Sequence, residues 1–141
     1  KELYDIQIEL HNIEKIYRLK KFYQQTPEQI KPLITPIAAK IPMKTLYRWI
    51  DEDSAEAIMG NLKESPYRSY LGTHEFLFIE NTTEFIKHQI FRRLLKFSTH
   101  PDVIIIAYME LLDQEIQNII DIIEGVRYRL SPEKIESTLI Y

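Results

Sequence analysis

Apolar residues recur along this chain in steps of three and four, and no segment sustains period-two alternation. Leu3, Ile6, Leu10, Ile13 and Tyr17 share one helical face and predict a helix from the start to about Tyr23. Residues 1–4 already read as helix interior with no cap, so the sequence is expected to begin partway along a longer protein. Thr26-Pro27-Glu28 is a start signal: a hydroxyl for orphan N–H groups, Pro at the first helical position and an acid at the positive helix end. The short helix it opens is expected to stop before Pro36. Pro42 to about Ile50 predicts another. Asp53 or Ser54 can cap a third, which Gly60-Asn61 is placed to interrupt, and Ser65-Pro66 starts a short turn ending at Gly72.

Thr73 is expected to open a long helix to about Phe97, with Leu77, Phe78, Phe85, Ile90 and Leu94 as its apolar stripe. Thr99-His100-Pro101-Asp102 starts the last long helix, whose stripe is Leu112, Ile116, Ile119, Ile123, Val126 and Leu130. Residues 103–106 alone would suit a buried strand, but a pattern running almost thirty residues favours helix, with Gly125 the point for a kink or early end. Ser131-Pro132-Glu133 opens a terminal helix. The predicted fold class is all-α.

The layout hides a repeat. Glu9, Asn12, Ile13 and Ile16 recur 106 positions later as Glu115, Asn118, Ile119 and Ile122. Tyr23, Pro27, Glu28 and Ile30 recur 105 positions later as Tyr128, Pro132, Glu133 and Ile135, and Thr26 matches Ser131. One deleted residue separates the two blocks. Amphipathic helices followed by Pro caps resemble one another, yet propensity alone does not demand matching Glu-x-x-Asn pairs. These four polar residues read as structural, fixing register across helices. Residues 1–97 are expected to form one helical unit with its start missing, and 98–141 an incomplete second copy. Such a unit cannot bury its apolar face alone, so a segment upstream of Lys1 is expected to complete it.

Composition then narrows the chemistry. The 141 residues suit one domain-sized core, and 18 basic against 21 acidic side chains leave a net charge of −3. Only three glycines occur, with neither a Walker A nor a G-x-G-x-x-G arrangement, so no glycine-rich phosphate cradle is encoded. No cysteine is present, which removes disulfides, thiolate metal sites and thiol nucleophiles. The longest unbroken apolar run, residues 103–109, is far short of the ~20 residues a membrane span needs.

Three constellations could carry function. Glu80, Glu84 and His88 are spaced to share a helix face and could offer metal ligands, although no second Glu-x-x-His faces them and a solvated face is the simpler reading. His11, His74 and His100 stand outside any hydrolytic motif. Basic residues cluster as Lys15, Arg18, Lys20 and Lys21 near Tyr17, Phe22 and Tyr23, and as Arg92, Arg93 and Lys96 beside Phe91 and Phe97. Cations among aromatics can bind single-stranded nucleic acid, but a negatively charged chain makes a solvated helix face, or a patch for an acidic protein surface, the better reading.

The residues Pro101-Asp102-Val103-Ile104-Ile105-Ile106-Ala107-Tyr108, Glu115-Ile116-Gln117-Asn118-Ile119, Glu124-Gly125-Val126-Arg127-Tyr128 and Ser131-Pro132-Glu133-Lys134-Ile135 together resemble one family. They look like the carboxy-terminal end of the C-type subunit of V/A-type rotary ATPases and ATP synthases, the counterpart of the d-type subunit of eukaryotic V-ATPases. Residues 9–34 look like an earlier repeat of the same family. The resemblance implies a funnel of helical units, non-catalytic and without cofactor or metal. It implies a seat on the cytoplasmic face of the membrane rotor ring, with central stalk subunits and the proteolipid ring as partners, no nucleic acid and no membrane insertion. The six basic residues Arg18, Lys20, Lys21, Arg92, Arg93 and Lys96 become candidate grips on those partners. A helical nucleic-acid module and a metal enzyme around Glu84 and His88 remain the alternatives.

Overall fold

A computed structural model describes residues 2–141, and Lys1, the first residue of the predicted opening helix, lies outside them. The described residues form eight α-helices and one short 3-10 turn, with no strand among them. They cluster into two compact units, Lys1–Thr83 and Glu84–Tyr141. The contact boundary falls inside a helix, whereas the repeat boundary expected at 97/98 falls in a loop. The first follows packing and the second follows internal similarity.

In the first unit, α1 (Glu2–Lys21) buries Leu10, Ile13 and Ile16 completely, and α4 (Ala55–Glu64) packs against it. Gln24 takes a left-handed conformation after α1, and the Gln25 N–H closes the turn on the Leu19 carbonyl at 3.0 Å. Pro begins α2 (Pro27–Ile30), and the Gln29 side chain accepts the Thr26 N–H at 3.0 Å. The chain then returns across α1 and enters α3 (Met43–Glu52), which buries Leu46, Trp49 and Ile50. Ser54 Oγ accepts from the Ala57 N–H at 3.1 Å to cap α4, which runs through Gly60 without interruption. α5 (Arg68–Leu71) stops at Gly72, whose φ of +56° suits glycine.

The expectation of a helix from Thr73 is corrected: α6 is Ile79–Phe97, and residues 73–78 are not helical. After the reversal at Gly72, the His74 N–H bonds the Leu71 carbonyl and the His74 and Phe76 rings stack. The supposed stripe residues Leu77 and Phe78 are 89% and 64% exposed, so nothing repays a helix there. The buried apolar residues of α6 are Ile79, Phe85, Ile86, Ile90 and Phe91, of which Phe85 and Ile90 belong to the expected stripe.

In the second unit, α7 (Pro101–Arg127) is continuous for 27 residues. It runs on past Gly125. Arg129 takes the left-handed conformation after α7, and the Leu130 N–H bonds the Gly125 carbonyl at 2.9 Å. Gln24 and Arg129 are the two non-glycine residues with positive φ among those described, and they stand 105 positions apart. The turn after α1 closes over six residues and the one after α7 over five, which places the deleted residue there. α8 (Pro132–Glu136) is capped by Ser131 Oγ.

The apolar face of α7 lies open. Its stripe of Leu112, Ile116, Ile119 and Ile123 is exposed, with Ile119 at 56% where its counterpart Ile13 is at 0%. The buried side of α7 carries Ala107 and Gly125. A Cβ on Gly125 would lie 2.6 Å from Ile135 Cγ1, closer than carbon atoms approach. Gly125→Val is therefore expected to cost about 1–3 kcal/mol by overpacking. Hydrogen exchange should show the loss in residues 128–141 and leave α1 as protected as before.

Candidate functional site

Two asparagines do the same thing in the two units. Asn12 Nδ2 donates to the Thr35 carbonyl at 2.8 Å while its Oδ1 accepts the Thr35 N–H at 3.2 Å. Asn118 Nδ2 donates to the Ile140 carbonyl at 2.6 Å while its Oδ1 accepts the Ile140 N–H at 3.1 Å. A carboxamide holds one donor and one acceptor in a fixed fork, so it can satisfy both backbone groups of one residue. Thr35 and Ile140 lie 105 positions apart, matching the offset of the repeat's second block.

The glutamates differ. Glu9 is completely buried, and its carboxylate accepts the N–H groups of Ala39, Lys40 and Ile41 at 2.6–3.2 Å. Tyr67 Oη adds a fourth donor at 2.7 Å. Three successive N–H groups make a concave anion cradle, which is what a buried carboxylate requires. Burial, and then the adjacent Glu9, push the Tyr67 phenol well above the ordinary tyrosine range, so it stays a donor. Glu115 is exposed and has no hydrogen bond among the described residues.

The first basic cluster makes contacts within its own unit. Lys20 Nζ donates to the Ile50 and Asp53 carbonyls, both at 2.6 Å, and so closes the carboxy end of α3. Burial lowers its pKa, with Asp53 and Asp51 opposing. Lys21 pairs with Glu56 at 2.8 Å and lies over the Tyr17 ring, while Arg18 approaches Glu80 at 3.9 Å. Arg92, Arg93 and Lys96 are exposed on α6 and form no ion pair among the described residues, although Lys96 lies 5.4 Å above the Phe97 ring.

The metal constellation is not assembled. Glu80 faces Arg18, Glu84 is held by Lys87, and no three His, Asp or Glu side chains among the described residues converge as ligands. His11 lies 3.8 Å from Glu14, His74 Nδ1 lies 3.2 Å from the Leu71 carbonyl, and the backbone N–H of His100 meets Ser98 Oγ. Sequence reasoning missed Tyr67, the 39–41 cradle and the structural role of Lys20. Spacing carries no signal for contacts that join residues 30–58 apart.

The family model described as ATP synthase (C/AC39) subunit matches residues 1–138. The chain belongs to that family. No curated protein and no solved structure matches. The C/AC39 match spans both asparagine-bearing helices, α1 and α7, so the repeated clamp lies inside the shared region. No helix among the described residues of this C/AC39 chain is long and apolar enough to cross a membrane.

Two outcomes follow from the buried polar groups. Glu9→Gln puts an NH2 group against backbone donors and should cost roughly 2–3 kcal/mol, while Tyr67→Phe should cost about 1–2, both read by chemical denaturation. His88, beside a cavity of about 30 Å³ lined also by Glu84, Glu110 and Gln114, has a buried Nδ1 without a hydrogen-bond partner. Burial, then Arg92, lower its pKa, and Glu115 opposes them. A lowered histidine pKa means the unfolded chain binds the proton first. Stability should therefore be full above about pH 6.5 and decline as pH falls towards the folded-state value. Melting curves at pH 7 and pH 5 should show a smaller decline for His88→Gln than for the parent chain.

Proposed function

We propose that this chain is a non-catalytic adaptor in the rotor of a V/A-type ATPase or ATP synthase. It links the central stalk to the membrane ring and passes torque between them during proton or sodium transport. Family membership over residues 1–138 carries the reading. The candidate seat is the cytoplasmic face of the membrane, held peripherally.

The residues support such a role in two ways. Torque demands parts that deform little: in each unit an asparagine's hydrogen bonds fix where the returning segment crosses its helix, and the first unit adds a close-packed apolar core. Gripping a partner demands cations that the fold does not already use. Arg92, Arg93 and Lys96 meet that condition, whereas Lys20 and Lys21 serve internal contacts.

The two basic clusters should separate by experiment. Arg92→Glu, Arg93→Glu and Lys96→Glu combined should weaken association with purified stalk or ring by roughly tenfold at low salt, and less at high salt, because exposed charges act through screened fields. Lys20→Met should lower the melting temperature instead and leave association of the folded fraction unchanged. A C/AC39 chain that binds neither stalk nor ring would remove the adaptor reading.

A further inference from the structure

The seam between α6 and α7 holds a polar atom that the chain does not serve. His88 Nδ1 is buried and meets no hydrogen-bond partner among the described residues, whereas buried polar groups are almost always paired. The residue lines a cavity of about 30 Å³, whose other polar walls are Glu84 and Lys87 on α6 and Glu110 and Gln114 on α7. All of these residues belong to the second unit. One water molecule occupies about 10–15 Å³ of such space and needs two to four polar partners. Gln114 Nε2 is already engaged, donating to Asn118 Oδ1 at 3.2 Å, which leaves its Oε1 to accept. Asn118 in turn holds both backbone groups of Ile140. We infer that the cavity is a binding site for an ordered water, which joins His88 Nδ1 to Gln114 Oε1 and so extends the Asn118 clamp across the seam to α6. Glu110, which forms no ion pair among the described residues, supplies the third partner.

Water suits this place better than a cation. Lys87 lines the cavity, Arg92 opposes any further positive charge at His88, and no three His, Asp or Glu side chains among the described residues converge as ligands. Burial, then Arg92, lower the His88 pKa against Glu115, so the ring is neutral near pH 7 and offers one donor and one acceptor nitrogen. Water can answer either one, whereas a carboxylate can only accept. The repeat adds a second observation. At the offset of 106 positions Gln114 stands where the first unit has Ile8, so Asn12 clamps Thr35 without a neighbour that could relay the bond.

The test begins with the parent chain. A high-resolution crystal structure is expected to show one density peak about 2.7–3.2 Å from both His88 Nδ1 and Gln114 Oε1. Hydrogen exchange of the Ile140 N–H, which Asn118 Oδ1 accepts, then reports whether the link is connected. His88→Leu should speed that exchange roughly fivefold, the scale of one lost hydrogen bond, while His88→Asn, which keeps a polar atom at the Nδ1 place, should stay within about twofold of the parent. The Thr35 N–H on Asn12 is the internal control and should not move in either variant. Gln114→Met, at a half-buried position, should also remove the peak and speed Ile140 exchange, and it replaces His88→Leu if that variant does not fold. An empty site overturns the proposal, as does a peak about 2.0–2.6 Å from its ligands, which would name a cation. So does Ile140 exchange that responds alike to leucine and to asparagine at position 88. The adaptor reading depends on none of these outcomes.

Discussion

A helix that buries its face must be covered by another stretch of chain, and that stretch brings backbone N–H and C=O groups that also need partners. Where the covering stretch is neither helix nor strand, a side chain has to provide them. Asn12 and Asn118 do so in the two units, each closing both backbone groups of one residue 23 or 22 positions ahead. The rest follows from that contact. It sets how far the chain travels before returning, and so where the capped short helix must sit and where the left-handed turn must fall. The one-residue difference between the two separations is absorbed by the turn after the helix.

The glutamate three residues earlier shows the same chemistry in two states. Glu9 has left water for four hydrogen-bond donors, and Tyr67 is held as a donor by burial and by the carboxylate it serves. Burying a carboxylate is tolerable only with such company, so Glu9 and its cradle form together or not at all. Glu115 keeps its solvent, and the apolar residues beside it keep theirs.

Much of this was legible in the sequence. Periodicity placed α1 and α3 to within about two residues at each end, cap signals placed the starts of α2, α4, α7 and α8, and the Glu-x-x-Asn spacing exposed the repeat. The failures share a cause. Spacing says which residues share a face but not what covers the face, so the α7 stripe read like the α1 stripe although one is exposed and the other buried. Residues 73–78 looked helical because two bulky side chains suggested a stripe, and Gly72 redirected the chain before that stripe could pack. Lys20 looked like a surface cation because a helix carboxy end 30 residues away is invisible to local pattern. On the Glu80–Glu84–His88 face, each carboxylate has a cation beside it.

Polar clamps also bear on why such a unit would suit a coupling role. Apolar packing is non-directional and tolerates sliding of one surface over another, so a core of isoleucines resists separation better than it resists shear. A carboxamide bonded twice to one residue does not slide, because moving by a single position exchanges donor for acceptor. On the rotor reading, the load falls along just such sliding directions. In the first unit the buried Leu10, Ile13 and Ile16 then supply cohesion, and Asn12 fixes register. Replacing Asn12 with an isosteric leucine would keep the first and forfeit the second, which is why stability alone is an incomplete measure of what that residue contributes.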